Sequence, residues 1–96
     1  ENKVSIIEEK DLDLQMIDAY EEGMNFFDIN DFISAAKKFN EAELLYPQSI
    51  WAPRSALMTA YSYYNGSYYL DAINELKRFL EIYPNHEQCP ISRPMG

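Results

Sequence analysis

The chain is poor in the residues that most often carry chemistry, with a single cysteine, Cys89, and a single histidine, His86, among 96 residues. One cysteine excludes an intrachain disulfide and a multi-cysteine metal site. Cys89 and His86 also lack an Asp, an Asn or a second His to orient them for nucleophilic catalysis, so they read as an unreactive thiol and a loop histidine. The acids of Asp11-Leu12-Asp13 are not followed by the Asp and Gly that a calcium loop needs. No apolar run approaches the roughly 20 residues of a membrane span. Basic residues are scarce too: eight Lys and Arg stand against sixteen Asp and Glu, for a net charge of −8. This argues against a nucleic-acid partner, because phosphate binding needs clustered cations. No catalytic residue, metal or cofactor is expected, and the chain reads as a non-enzymatic one.

The negative charge is concentrated at one end. Residues 1–31 hold ten acids against Lys3 and Lys10, whereas the remaining 65 residues carry six charges of each sign. Such a run is either a solvated helix face or a surface that steers a basic partner. The chain opens at Glu1 without a methionine, a basic leader or an apolar segment, and is expected to be a processed product whose targeting segment has been removed. With 47% apolar and 15% aromatic residues, the composition is that of a folded protein. At this length one small domain with a thin core is expected, burying roughly 60 to 65% of its unfolded surface.

What the chain does have is a repeat. The run 23–47 returns 37 positions later as 60–84, pairing Phe26 with Tyr63, Ala35 with Ala72, Phe39 with Leu76, Ala42 with Phe79, and Tyr46-Pro47 with Tyr83-Pro84. A fixed period of this size marks stacked supersecondary units, none of which buries its apolar face alone. Within each unit the apolar residues recur at helical spacing. After a polar stretch expected to fray or to start a helix weakly, the sets Ile17, Tyr20, Met24, Phe27 and Met16, Ala19, Gly23, Phe26 describe a helix from about Leu14 that is apolar on two faces. Asn30-Asp31 breaks it. Asp31 is placed to cap the next helix, which carries Phe32, Ala35, Ala36, Phe39, Ala42 and Leu45 and stops before Pro47. Pro53 falls in the first turn of a third helix that ends at Asn65-Gly66, and a fourth spans about Tyr68 to Tyr83. The expectation is an all-α fold of four helices in two antiparallel hairpins, with turns near Asn30, Pro47 to Ser49, Gly66 and Pro84.

In these positions the chain resembles the tetratricopeptide repeat, a unit of about 34 residues. Gly23 with Ala35 and Ala60 with Ala72 fall where paired helices approach closely, and aromatics such as Phe26, Phe39, Tyr63 and Phe79 fill the gaps. Two such repeats fit at about 16–49 and 53–86, between a polar segment 1–14 and an irregular tail 87–96, and the resemblance implies a short right-handed solenoid. Within that class the run from Tyr46-Pro47-Gln48-Ser49 to Ala52, then Ala60-Tyr61-Ser62-Tyr63-Tyr64, then Arg78 to His86, is similar to the BamD-like outer-membrane protein assembly lipoproteins. The Tol-Pal-associated CpoB-like periplasmic proteins share a Tyr-Pro-x-Ser turn followed by an Ala-rich helix, and stand as the alternative beside a generic tetratricopeptide oligomerisation module. The BamD-like resemblance implies a non-enzymatic scaffold of the bacterial periplasm, at the inner face of the outer membrane. Its full-length form would be lipid-anchored through an acylated N-terminal cysteine that is absent here, and its partners would be unfolded outer-membrane proteins and other assembly-complex subunits. This chain would then be the N-terminal part of a longer array.

In stacked helical hairpins the first helix of each unit lines the concave face. The stripe left over from packing places Tyr20, Met24 and Phe27 on the first helix and Arg54, Met58, Tyr61 and Tyr64 on the third, and these residues are the expected lining of a peptide-binding groove. Aromatics supply contact area at low entropic cost, Met adapts to varied partners, and Arg54 would pair with a carboxylate. The targeting peptide that the resemblance implies, with a terminal aromatic residue and a free carboxylate, suits that set. The same stripe reads alternatively as packing against a further helix. Repeat proteins that clamp acidic chaperone tails carry Lys and Asn where this chain has Tyr20 and Met24, so an apolar or aromatic ligand is expected over an acidic one. Glu43 is expected on the far face, without effect on binding. A second copy of the chain, pairing through the open end of the array, is a further expected partner.

Overall fold

The computed structural model describes residues 2–84, with side chains from residue 11 onward. The expected irregular tail 87–96 with Cys89, and His86 before it, lie outside the described residues. Four helices follow one another: α1 (Asn2–Asp28), α2 (Phe32–Leu45), α3 (Trp51–Asn65) and α4 (Tyr69–Ile82), with no strand among the described residues. Packing runs α1 on α2, α2 on α3 and α3 on α4, which is a stack of two hairpins of the tetratricopeptide type. One element is longer than its apolar pattern: α1 begins at Asn2 rather than near Leu14. No Gly or Pro precedes Gly23, and helix propensity alone carries a polar segment outward from a packed one.

The two hairpins turn in the same way, which is the 37-residue period expressed in backbone geometry. Asn30 and Ser67, 37 apart, both adopt the left-handed conformation, with φ of 65° and 68°. In the first turn the Asp31 N–H donates to the Phe26 carbonyl at 2.9 Å, and in the second the Tyr68 N–H donates to the Tyr63 carbonyl at 2.8 Å. The caps differ. The Asp31 carboxylate accepts from the Ser34 N–H at 3.3 Å, whereas Tyr68 offers the start of α4 no side-chain cap. α3 is opened by Ser49, whose Oγ accepts from the Trp51 N–H at 3.0 Å.

Small residues set the helix spacing. Ala35, Ala60 and Ala72 are all buried, and a Cβ built on Gly23 would stand 2.8 Å from Cε1 of the fully buried Phe39. The inner face of α3 is likewise small, with buried Ser55, Thr59 and Ser62. Thr59 and Ser62 return their hydroxyl protons to the carbonyls of Ser55 and Met58 at 3.0 and 2.8 Å, which offsets the cost of burying those two hydroxyls, whereas the buried Ser55 Oγ has no partner among the described residues. Met16, Ala19 and Ala42 form the core of the first hairpin, and Ala56 and Phe79 that of the second.

Candidate functional site

On one side of the stack, α3, α4 and Tyr20 of α1 enclose an open groove of about 790 Å³. Five of the seven residues expected at a groove meet there: Tyr20, Arg54, Met58, Tyr61 and Tyr64. Leu57 joins them from α3, and Tyr69, Ile73 and Leu76 supply an opposite wall from α4. α2 contributes nothing to it. Met24 and Phe27 fall outside the lining and are half-buried. Phe27 instead lies behind the wall, stacked on Tyr61 with ring centroids 5.5 Å apart and meeting Phe32 edge-on at 5.1 Å. Its place in the last turn of α1, one residue before the end, brings it against α3 rather than into the open space.

Tyr61 and Tyr64 keep 51% and 59% of their surface exposed, so about half of each residue stays open to solvent rather than being spent on the core. Tyr64 is held by an edge-on contact with Tyr69 at 5.5 Å. Tyr20 divides its surface: its ring packs edge-on against Phe39 at 5.2 Å and Trp51 at 5.3 Å while its remaining surface faces the groove. Burial pushes the Tyr20 phenol above its ordinary pKa, partly offset by the positive charge of Arg54. Arg54 sits over the Trp51 ring, 5.2 Å from its centroid, and no carboxylate pairs with it among the described residues. A guanidinium stacked on an indole in an apolar wall keeps its N–H donors available for an anionic group. A smaller hollow of about 270 Å³, bounded by Met16, Ile17, Glu21 and Trp51, continues the surface beyond Tyr20.

Trp51 and the α4 wall escaped the sequence-based list. Trp51 stands two residues before Pro53, which marks the start of the third helix in the sequence, and its place three residues before Arg54 on that helix brings the two side chains together. Tyr69, Ile73 and Leu76 recur at i, i+4 and i+7 and were indistinguishable from a packing face, because periodicity shows that a face is apolar and not that something covers it.

Glu43 lies away from the groove, as expected, but is not a surface residue. It is 3% exposed, and its carboxylate accepts from Arg78 Nη1 at 3.2 Å, Arg78 Nη2 at 2.7 Å and the Tyr83 hydroxyl at 2.6 Å. Hydrogen bonding to Glu43 raises the pKa of Arg78, and burial, then the Glu43 hydrogen bond, raises that of Tyr83. From Asp11 onward the acidic residues of α1 are mostly exposed, including Asp11, Asp18, Glu21 and Asp28, while Glu22 pairs with Lys38 at 2.7 Å. Among the described residues no cluster of His, Cys, Asp and Glu could hold a metal, and no helix is long and apolar enough to cross a membrane.

The family model described as YfiO, outer membrane lipoprotein, matches residues 12–92. The outer membrane protein assembly factor BamD of Caulobacter vibrioides is 37% identical over 67 residues, which is 70% of this chain and 22% of that protein. The chain thus spans about a fifth of the length of the curated relative it matches. No solved structure matches it. A match through both hairpins and at more than a third of the aligned positions places this chain in the YfiO family of outer membrane lipoproteins.

Proposed function

We propose that the chain is a non-enzymatic binding scaffold of outer-membrane protein assembly, and that its groove takes extended apolar and aromatic segments of unfolded outer-membrane proteins. The observation that carries this reading is the groove itself, a wall of half-exposed Tyr, Leu, Ile and Met side chains interrupted by one cation, Arg54, that has no carboxylate partner among the described residues. An aromatic side chain of the ligand would lie against Tyr61 and Tyr64, and a carboxylate, such as a free C-terminus, would meet Arg54. The full-length protein would work at the periplasmic face of the outer membrane, held there by a lipid anchor and by other subunits of the assembly complex.

Titration of a labelled peptide ending in Phe with a free C-terminus tests the reading. Tyr61→Ala and Tyr64→Ala should each cost about 1 to 2 kcal/mol of affinity, as aromatic anchors of an interface do. Arg54→Ala should weaken the free-acid peptide more than its amidated twin. Equal affinity of all variants, or no binding to the parent at millimolar peptide, removes the groove from the account.

A second reading rests on one comparison between the repeats. Ala36 and Phe39 on α2 are 1% and 0% exposed beneath their neighbours, whereas the residues 37 positions later, Ile73 and Leu76 on α4, are 49% and 37% exposed. The α4 wall would then be the seat of another helix, from a further repeat or a second copy. A mass in solution that rises with concentration, and that Ile73→Glu returns to the monomer value, favours the second copy.

A further inference from the structure

We propose that Glu43, Arg78 and Tyr83 form a clasp between the two repeats that sets the angle of α4 against α2 and thereby the width of the groove. α4 is the helix with the weakest hold on the stack. It packs on α3 and buries only Ala72 and Phe79, while its apolar stripe at Tyr69, Ile73 and Leu76 faces the open groove. Glu75 and Arg78 lie on a nearly opposite face, given 3.6 residues per turn. From that face Arg78 reaches Glu43 on α2, 35 positions earlier, and Tyr83 reaches it from just beyond the end of α4.

The geometry suits a positioning role. Two parallel N–H donors on two carboxylate oxygens resist rotation in a way that one contact does not. Glu75 orients the fork from the side, accepting from Arg78 Nε at 3.3 Å and Nη2 at 3.1 Å. Because Glu43 is buried, a half-open clasp would strand a carboxylate out of water, so the cluster is either made or broken. None of its members touches the groove. Their effect on a ligand would pass through the α4 wall, and that part of the proposal rests on the groove reading above.

The test uses the full chain with Cys89→Ser, spin-labelled at Lys37→Cys on α2 and Lys77→Cys on α4, two exposed positions. The parent should give one narrow distance distribution. Arg78→Lys, which keeps the charge and loses the fork, and Tyr83→Phe, which loses one hydroxyl, should broaden it at unchanged helix content, Arg78→Lys more. If the competent geometry is then populated a third of the time, affinity for the Phe-terminated peptide falls about threefold. A broadened distribution with weakened binding bears the clasp out. A distribution identical to the parent's in both variants, with only the unfolding midpoint lowered, overturns it and leaves a purely stabilising cluster. If the parent binds no peptide, the groove reading fails while the distance measurement still decides the clasp.

Discussion

Replacing Gly23 by alanine probes how α1 approaches α2. The added Cβ would lie 2.8 Å from Cε1 and 2.9 Å from Cδ1 of Phe39, closer than carbon atoms tolerate, so the ring must move. Phe39 has no free side to move into: it is fully buried and its ring lies against Tyr20 at 5.2 Å. Overpacking of this kind costs roughly 1 to 3 kcal/mol. Against it, Gly to Ala inside a helix gains about 0.5 to 1 kcal/mol of propensity. The net expectation is a loss of about 1 kcal/mol, which for a domain of this size lowers the thermal midpoint by about 4 to 8 °C. The second repeat supplies the control, because it carries Ala60 and Leu76 at the positions of Gly23 and Phe39. Combining Gly23→Ala with Phe39→Leu recreates that pair in the first repeat, and the double variant should lose less than the two single losses added together. Urea and thermal unfolding of the four proteins measure the cycle. A Gly23→Ala variant more stable than the parent, or strict additivity, would refute the claim that Gly23 exists to admit the Phe39 ring.

Three further outcomes follow from the structure. Tyr20, Tyr63 and Tyr83 all have phenols whose pKa in the fold is raised, chiefly by burial. Their protonated forms favour the fold, so the stability they contribute is complete below the unfolded value near pH 10 and is lost as pH rises above it toward the folded pKa of each; absorbance titration should show three late phenols, and parallel unfolding curves a stability that falls above about pH 10. Ser67 holds a left-handed conformation without being Gly or Asn, so Ser67→Gly should raise stability by up to about 1 kcal/mol, and an unchanged or lowered unfolding midpoint would count against the turn geometry. Reversing the charge of Glu21, Glu22 and Asp28 should leave peptide affinity within about twofold at 0.15 M salt, where the Debye length is about 8 Å; a large, salt-resistant loss would make that face of α1 part of the binding surface.

Local chemistry alone determined the helices, the turns and the repeat. Pro47 ends one helix and Pro53 opens another by removing a backbone donor and restricting φ, Asp31 caps through its own carboxylate, and the i, i+3, i+4 recurrence of apolar residues needs nothing beyond the chain's neighbours to be read. The likeness of the two hairpins was equally legible, since residues 37 apart meet the same turn geometry at Asn30 and Ser67. Tertiary structure alone decided which apolar stripe is covered. Phe27 and Tyr61 share the same periodic signature, yet one stands behind the wall and the other in it, because their difference lies in how α1 leans on α3 and not in either helix. Glu43 shows the limit most plainly. On its own helix it is one acid among polar neighbours, and only the stacking of the repeats brings Arg78 and Tyr83, 35 and 40 positions away, to its carboxylate. Contacts at such separations leave no periodic trace in the chain, because they are made by the packing of elements that each satisfy their local rules whether or not they meet.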